Sequence, residues 1–340
     1  MRKLASIQKI LDIQPIPGAD RIQVATVLGW KVVIRKDEFK VGDLAIYVEI
    51  DSLLPFTPWT EFLRDKNRPD KPIRLRTVRL KKQLSQGILF SVAILSYRIG
   101  QDYQEGEDVT ELLGIQKWEP EIPAQLKGMV KGGFPACVPK TDETRVQAEP
   151  GLIQEFQGKR VYITQKVDGT SGTFVVQDDI DVCSRNLSLK ETEGNTYWEI
   201  FKKYNLEAKL KAFRDRYQHA LAIQGEIAGP GIQKNRLGLK EVQLFVFNIY
   251  DITAGRYLDF EQFKKLCEEF ELQTVPILEV RTFDFCTVDE LLELARGQYA
   301  SGKNQEGIVI RPVQECYSEI LNGRASFKVI NNEFLLETGE

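Results

Sequence analysis

The 340-residue chain has little histidine and little cysteine, and each shortage excludes a class of chemistry. Catalytic triads and zinc sites that depend on histidine would have to use His219, which is the only histidine. The five cysteines are odd in number, widely separated and without a CxxC pair, which argues against a disulfide framework or a structural zinc site. A reducing, cytoplasmic location is therefore expected. Lysines, carboxylates and metal-assisted phosphate chemistry remain as the possible means of catalysis.

Two missing motifs and the absence of an overall positive charge further limit what the protein can be. No stretch approaches the roughly 18 apolar residues that span a bilayer, and polar residues interrupt the amino-terminal segment, so neither a membrane partner nor a secretory peptide is expected. No GxxxxGK[ST] motif occurs, which excludes a P-loop kinase. The net charge of −3 means that any nucleic-acid binding must use local basic patches.

Short strands with glycine turns dominate the first part of the chain. Residues 21–36 predict a hairpin around Leu28-Gly29, residues 40–51 predict a turn at Gly42-Asp43 and then a strand, and residues 84–95 predict another strand. About five such strands are typical of a small β-barrel, and an OB-type barrel, which often binds nucleic acid, is the obvious candidate.

A long insertion at residues 56–82 interrupts these strands. Its last part, residues 71–82, contains six basic residues and no acidic residue. Both a solvated strand edge and a strip that contacts phosphates agree with this composition. The basic residues are Lys71, Arg74, Arg76, Arg79, Lys81 and Lys82.

The pattern changes in the second part of the chain. Residues 100–135 predict a loop-rich connection with a short helix, and we place the domain boundary there, dividing the chain into residues 1–125 and 126–340. Longer strands mixed with helices follow, which indicates an α+β domain with mostly antiparallel strands. The segments predicted to be helical are 196–220, 259–272 and 287–299, and those predicted to be buried strands are 221–229 and 242–252.

Lys166-Val167-Asp168-Gly169 lies between two predicted strands. Asp-Gly is a common turn pair, so a polar β-turn would explain the motif. A functional role requires the lysine to face a cleft at the end of its strand, with the glycine allowing a ligand to approach closely.

Five more motifs follow Lys166 in a fixed order. Each has a structural explanation alone, but the order extends over about 165 residues and resembles the covalent nucleotidyltransferase superfamily of DNA ligases, RNA ligases and mRNA capping enzymes. The resemblance covers roughly residues 135–335. The motifs are S-R-N (184–186), G-E-I-A-G (225–229), F-N-I-Y-D (247–251), E-G-I-V-I-R (306–311) and F-K-V-I (327–330).

Domain order is informative within this superfamily, because DNA ligases and capping enzymes typically carry the OB domain last. Here the predicted OB barrel comes first, and a linker at 134–147 follows it. The whole chain therefore resembles the ATP-dependent RNA ligases with an amino-terminal OB domain, the Naegleria/Deinococcus type. This resemblance implies an OB-fold β-barrel followed by an antiparallel-sheet, ATP-grasp-like nucleotidyltransferase domain.

The resemblance also implies the activity. Lys166 would form a covalent lysyl-AMP with ATP, and AMP would pass to an RNA 5′-phosphate that a 3′-hydroxyl then attacks. ATP and Mg²⁺ or Mn²⁺ are the expected cofactors, RNA ends, including those of a nicked duplex, are the expected partners, and a monomer acting in RNA repair is expected.

Roles for the site residues follow from the same resemblance. Lys328 would contact the α-phosphate, and Glu226 first and Glu306 second would bind the metal, directly or through water. Asp168 and Gly169 would contact the ribose, Arg185 the ribose or a phosphate, and Phe247 the adenine. Arg145 would contact phosphates of ATP or RNA, and Gln165 completes the predicted nucleotide-binding set.

The sequence departs from the family pattern at one position, and two alternative functions remain open. Many RNA ligases have K-x-K in the last motif, whereas Ser326 precedes Lys328 here, so one lysine is vacant or its role is supplied elsewhere. A DNA ligase or capping guanylyltransferase shares the lysine chemistry, although the amino-terminal barrel argues against both. A non-catalytic OB-fold RNA-binding protein with a degenerate transferase domain is the other alternative.

Overall fold

The computed structural model describes residues 3–65, 70–95, 102–119 and 128–339. These residues form two compact units. The first comprises the described residues before 120 together with 147–150 and 335–339, and the second comprises 128–146 and 151–334. The predicted boundary at 125/126 lies outside the described residues. A short helix was predicted within 100–135. No helix is found in residues 102–119, and part of the rest of this segment lies outside the described residues.

The first unit is built from short antiparallel strands. Their order in the sheets is β1-β5-β10, β2-β3-β4 and β11-β6-β7, and β8 pairs with β9. Two 3-10 helices, Glu61–Leu63 and Val92–Leu95, complete the unit. The strands are β1 Ala5–Lys9, β2 Asp12–Pro15, β3 Ile22–Val27, β4 Trp30–Arg35, β5 Leu44–Val48, β6 Ser52–Leu54, β7 Ile73–Arg74, β8 Val78–Leu80, β9 Gln83–Ser85, β10 Ile88–Ser91 and β11 Gln116–Lys117.

The hairpin predicted around Leu28-Gly29 is confirmed, because β3 and β4 pair from Ile22↔Arg35 to Val27↔Trp30. The prediction of one strand over residues 84–95 is wrong. Gly87 has a φ of +88°, and a Cβ there would lie 2.4 Å from the Val48 carbonyl oxygen. This turn separates β9 from β10, so the chain changes partner from β8 to β5.

The second unit contains a seven-stranded sheet, β12-β17-β16-β15-β18-β19-β20, and a five-stranded sheet, β13-β25-β22-β14-β21. The pairings are antiparallel except for β13 and β25, which are parallel, so the prediction of mostly antiparallel strands holds. The strands are β12 Val130–Gly133, β13 Thr144–Arg145, β14 Arg160–Lys166, β15 Thr170–Val176, β16 Ile180–Cys183, β17 Leu187–Leu189, β18 Leu221–Ala228, β19 Gln243–Asp251, β20 Arg256–Tyr257, β21 Ile277–Thr282, β22 Gly307–Pro312, β23 Tyr317–Ser318, β24 Gly323–Arg324 and β25 Phe327–Ile330.

Each predicted helical segment of the second unit contains helix, with one break, whereas the helices Leu152–Phe156 and Asn332–Thr338 were not predicted. Asn205 has a φ of +51°, which interrupts the predicted segment 196–220 and divides it into two helices. Among the described residues, none of the helices is long and apolar enough to cross a membrane. The helices are α1 Leu152–Phe156, α2 Thr196–Lys203, α3 Leu206–Tyr217, α4 Phe260–Glu269, α5 Val288–Ala295 and α6 Asn332–Thr338.

The five-stranded sheet has two different faces, because successive side chains on a strand point to opposite sides. Ile163, Ile308 and Val329 belong to a buried apolar cluster that covers one face. Lys166 and Lys328 occupy alternate positions on the same strands and therefore face the other way. The core thus fixes the side of the sheet on which the polar residues lie.

Candidate active site

Lys166 is the last residue of β14, opposite Gly307 of β22. Its Nζ lies 2.7 Å from Glu306 Oε1, and the two side chains are only 24% and 17% exposed. The structure therefore brings together the predicted nucleophile and one of the two predicted metal ligands, although they are far apart in the sequence.

The electrostatic surroundings of Lys166 favour its charged form. Burial lowers the pKa of Lys166, but the carboxylates of Glu306 and Glu226 outweigh burial and raise this pKa above its usual value. An attacking amine must be neutral, so the chemistry expected from the sequence needs a depressed pKa. The surroundings of Lys166 in the protein alone provide the opposite shift.

Glu226 lies in β18, and the pKa of its carboxyl group is strongly perturbed. The pKa of Glu226 is raised to about 8, chiefly by burial and also by the carboxylates of Glu306 and Asp168, while Lys166 opposes the shift. Such crowding of acidic oxygens fits a divalent cation, because Mg²⁺ and Mn²⁺ take oxygen ligands.

The protein donors do not form a complete metal cage. Within the described ranges, no group of three or more His, Cys, Asp or Glu side chains is arranged to hold an ion. Glu226 and Glu306 would therefore need water or phosphate oxygens as additional ligands, which is the usual manner of Mg²⁺. Their metal-binding role stays a prediction.

Cations converge next to the carboxylates. Lys328 of β25 pairs in register with Arg145 of β13, and Lys328 Nζ lies 3.2 Å from Asp142 Oδ1. Arg185 contacts the other oxygen of Asp142 at 3.1 Å. The pKa of Lys328 is lowered to about 8, chiefly by burial and also by the positive charges of Arg145 and Lys166, whereas Asp142 opposes the shift. This concentration of positive charge suits a phosphate.

The turn after Lys166 packs directly against β18. A Cβ on Gly169 would lie 2.3 Å from the Ile227 carbonyl oxygen and 2.9 Å from the Glu226 side chain. This close approach is a second reason for a glycine here, and the ligand-contacting role of Gly169 stays a prediction. The turn needs a glycine so that β18, with Glu226, can approach it closely.

Phe247 occupies an irregular position in β19. Gln224 pairs with Asn248 and Gly225 pairs with Val246, so the register skips Phe247 at a β-bulge. The half-buried Phe247 ring packs with the apolar cluster that contains Val167, the neighbour of the nucleophile. Bulges often redirect side chains next to active sites, and an adenine contact by this ring stays a prediction.

Gln165 does not join the cluster around Lys166. It precedes Lys166 on an extended strand and points to the opposite face, where its Nε2 donates to Gln305 Oε1 at 2.7 Å. Gln305 Nε2 in turn donates to the Ala295 carbonyl. The amide therefore has a structural partner, and its nucleotide-binding role stays a prediction.

Two residues near the nucleophile were missing from the sequence prediction. The Tyr299 hydroxyl donates to the Lys166 carbonyl at 2.7 Å and accepts from the backbone N–H of Asp168 and of Glu306, at 3.0 and 3.1 Å. Arg236 Nε lies 3.7 Å from Asp168 Oδ2 in a pair that is almost fully buried. No local pattern indicates either contact, because Tyr299 is the last residue of the predicted helical segment 287–299, beyond the observed end of α5 at Ala295, and Arg236 lies in a loop.

Ser326 occupies the position where many RNA ligases have a lysine. Its hydroxyl accepts from Arg311 Nε at 3.1 Å, and Arg311 also donates to Glu143 Oε1 at 2.7 Å. Burial raises the pKa of Glu143, but the Arg311 guanidinium outweighs burial and lowers it to about 2. A buried arginine–glutamate pair thus occupies the surroundings of the vacant lysine position.

The comparisons with known proteins agree with this arrangement. An OB-fold domain model matches residues 4–92, and a model described as RNA ligase matches residues 159–330. Structures of Naegleria gruberi RNA ligase match at 36% identity over 98% of each chain. An alanine variant with AMP and manganese gives a TM-score of 0.86, and both an alanine variant with ATP and manganese and the enzyme with pyrophosphate give 0.87.

An OB-fold unit followed by a sheet-rich unit with a lysine between carboxylates defines a polynucleotide ligase. The chain belongs to the RNA ligase family, and it is an enzyme that joins RNA. The α+β class, the amino-terminal OB fold and the ligase domain predicted from the sequence are confirmed.

Proposed function

We propose that the protein is an ATP-dependent RNA ligase that uses Lys166 as its covalent nucleophile. The observation that carries the proposal is the position of Lys166 Nζ, 2.7 Å from Glu306 Oε1 and facing Glu226, at the end of a strand beside the Lys328 cluster. Support also comes from the Naegleria gruberi relative, which was solved with ATP, with AMP and with pyrophosphate.

The first step transfers AMP to the enzyme. Lys166 Nζ attacks the α-phosphorus of ATP, an N–P bond forms, and the bond to the bridging oxygen of pyrophosphate breaks. The amine must first lose a proton, and Glu306 Oε1, 2.7 Å from Nζ, is positioned to accept it. Lys328 and Arg185 would hold the α-phosphate, which would replace Asp142 as their anionic partner.

A divalent cation bound by Glu226 and Glu306 would supply positive charge that offsets the developing negative charge on the phosphate. The chain itself orients the groups. Asp168, held by Arg236, presents its carboxylate next to the turn that follows the nucleophile, where a ribose hydroxyl could donate to it. Phe247 offers an apolar ring for the adenine.

In the later steps the enzyme passes AMP to a 5′-phosphate of RNA, and a 3′-hydroxyl displaces the AMP. We propose that RNA 5′-phosphate and 3′-hydroxyl ends, including those of a nicked duplex, are the substrate, that a monomer performs the reaction, and that the role is RNA repair in a reducing, cytoplasmic compartment. The five cysteines all lie among the described residues and none is paired, which supports the last point.

The test is incubation of the purified protein with α-labelled ATP or GTP and Mg²⁺ or Mn²⁺, beside Lys166→Ala. We expect an acid-stable label from ATP alone that the variant does not take up. A label from GTP would indicate capping chemistry instead. Folded protein that takes no label, and that mass spectrometry shows is not already adenylylated, would disprove the proposed function.

A further inference from the structure

The segment from Thr77 to Ser85 forms a small hairpin that the mechanism above does not use. We call Val78–Ser85 the basic hairpin: β8 and β9 pair from Val78↔Ser85 to Leu80↔Gln83, so only Lys81 and Lys82 form the loop. Both lysines have positive φ values, 49° and 68°. A two-residue loop of this kind matches the twist of its strands and holds two adjacent lysines at the tip.

The base of the hairpin is fixed, whereas its outer strand is exposed. Ser85 Oγ accepts from the Val33 N–H at 2.9 Å, and the Gln86 N–H donates to the Lys31 carbonyl at 2.8 Å. All three residues of β8 are exposed, and β8 pairs only with β9 among the described strands. The tip is therefore presented to solvent from an anchored base.

The charge of this region has one sign. Residues 71–95 contain six basic side chains and no acidic one. Arg74 has a structural role, because its guanidinium lies 2.7 Å from Asp51 and stacks 3.3 Å from the Trp118 ring. Arg79, Lys81 and Lys82 are exposed on the hairpin itself. The structure thus divides the basic segment into one structural arginine and an exposed basic strip.

We propose that the basic hairpin binds the phosphate backbone of the RNA substrate. Negatively charged phosphates attract a cluster of positive side chains without requiring a complementary pocket. Lysine offers them a positive charge at the end of a flexible side chain. Exposed Val78 and Leu80, 43% and 44% accessible, flank Arg79 and can pack against sugars. The inference rests on the proposed function, since it names the surface that holds the same substrate.

The residues proposed to handle ATP all belong to the second unit, whereas the hairpin belongs to the first. Adenylylation needs no RNA, so its rate can be measured separately from RNA binding. Because the two activities can be measured separately, the role of the hairpin can be tested without changing the nucleophile.

The test uses the triple variant Arg79→Gln, Lys81→Gln, Lys82→Gln in the full chain. A matched control neutralises three exposed basic side chains on α2 and α3, Lys202, Lys211 and Arg216. We would measure adenylylation by ATP without RNA, and the Kd for a nicked RNA duplex with a 5′-phosphate by fluorescence anisotropy at several salt concentrations.

We expect unchanged adenylylation in both variants. For the hairpin variant alone, we expect the Kd to rise about tenfold or more at low salt and the slope of log Kd against log salt to fall by about two. Sealing by pre-adenylylated protein should slow in parallel at subsaturating RNA.

Three results would overturn the inference. The first is a Kd and a salt slope equal to those of the parent, which would leave the hairpin to another partner such as a protein. The second is the same loss in the control variant, and the third is a loss of adenylylation without RNA. If the parent itself takes no label from ATP, the proposed function fails, but the comparison of RNA affinities still decides the role of the hairpin.

Discussion

At the residue scale, Tyr299 uses the full hydrogen-bonding capacity of one phenolic oxygen. Its hydroxyl has one proton to donate and two lone pairs, and it makes one bond to the Lys166 carbonyl and accepts one each from Asp168 and Glu306. The ring is buried. Tyr299 is therefore a positioning residue that fixes the nucleophile's turn relative to the backbone of Glu306.

We predict that Tyr299→Phe slows adenylylation at saturating ATP by about 10- to 100-fold, because small misplacements of reacting groups are costly. The affinity for ATP should change little. Tyr47→Phe is the matched control, since its buried hydroxyl donates to the Gln86 carbonyl at 3.1 Å in the first unit. Single-turnover labelling measures the rate. Equal effects of both substitutions would show that only stability is involved.

The charged Lys328, which we expect to bind phosphate, should lower the free energy of unfolding. Its pKa is about 8 in the folded protein and about 10.5 when unfolded, so the fold penalises the ammonium. Below pH 8 both states are protonated and the full cost is present. Between pH 8 and 10.5 the folded protein loses the proton first, and the cost disappears as pH rises.

We therefore predict that Lys328→Met stabilises the protein at pH 7 by up to about 3 kcal/mol, with the gain shrinking as pH rises from 8 to 10. The same variant should lose at least about 100-fold in adenylylation. Thermal melts at pH 7 and pH 9.5 measure the gain. Lys328→Arg keeps the charge and should show no such gain. A constant gain at both pH values would contradict the argument.

At the element scale, the contact between the turn at Gly169 and β18 determines where Glu226 faces Lys166. The turn connects β14 to β15, and β15 pairs with β18 from Thr170↔Ile227 onward. The first pair of that ladder follows the glycine directly. Any side chain at residue 169 would push the two elements apart at the point where the carboxylate approaches the nucleophile.

We predict that Gly169→Ala costs about 1–3 kcal/mol of stability and most of the adenylylation, since its Cβ would meet a backbone oxygen at 2.3 Å. Gly132→Ala in β12 is the control, because a Cβ there meets nothing within 4 Å. Chemical denaturation and labelling measure the two effects. A fully active Gly169→Ala would show that the turn can shift without consequence.

At the scale of the whole molecule, the second unit places an excess of carboxylates beside an excess of cations. Glu306 and Asp168 are close enough to Glu226 to raise its pKa, and Arg145 and Lys166 are close enough to Lys328 to lower its pKa. A divalent cation together with a nucleotide phosphate would offset both groups of charges at once. The two ligands should therefore stabilise the fold more together than separately.

We predict that ATP with Mn²⁺ raises the melting temperature of Lys166→Ala, which cannot react, by several degrees. A ligand at a hundred times its Kd contributes about 2.7 kcal/mol. Chelation of the metal should remove most of the shift, and Glu226→Gln should reduce it. Differential scanning fluorimetry is the measurement. A shift of the same size without metal would contradict metal binding at these carboxylates.

Much of the fold follows from local patterns. The alternation in residues 22–35 predicted the hairpin of β3 and β4, and the capping residues Asp259 and Thr287 marked the starts of α4 and α5. The failures occurred where a single backbone conformation decides the path. Gly87 divides the strand predicted over 84–95, and Asn205 divides the helical segment 196–220.

The sequence by itself determined the family and the principal chemical groups. The sequence shows the order of the reactive residues, because each of them lies within a recognisable strand-like motif. They are Lys166, Glu226, Glu306 and Lys328. Only the tertiary structure decided how these groups are held. Tyr299 contacts Lys166 across 133 residues, and Asp142 contacts Lys328 across 186. Such contacts depend on which strands become neighbours, and long-range pairing leaves no local periodicity from which to predict them.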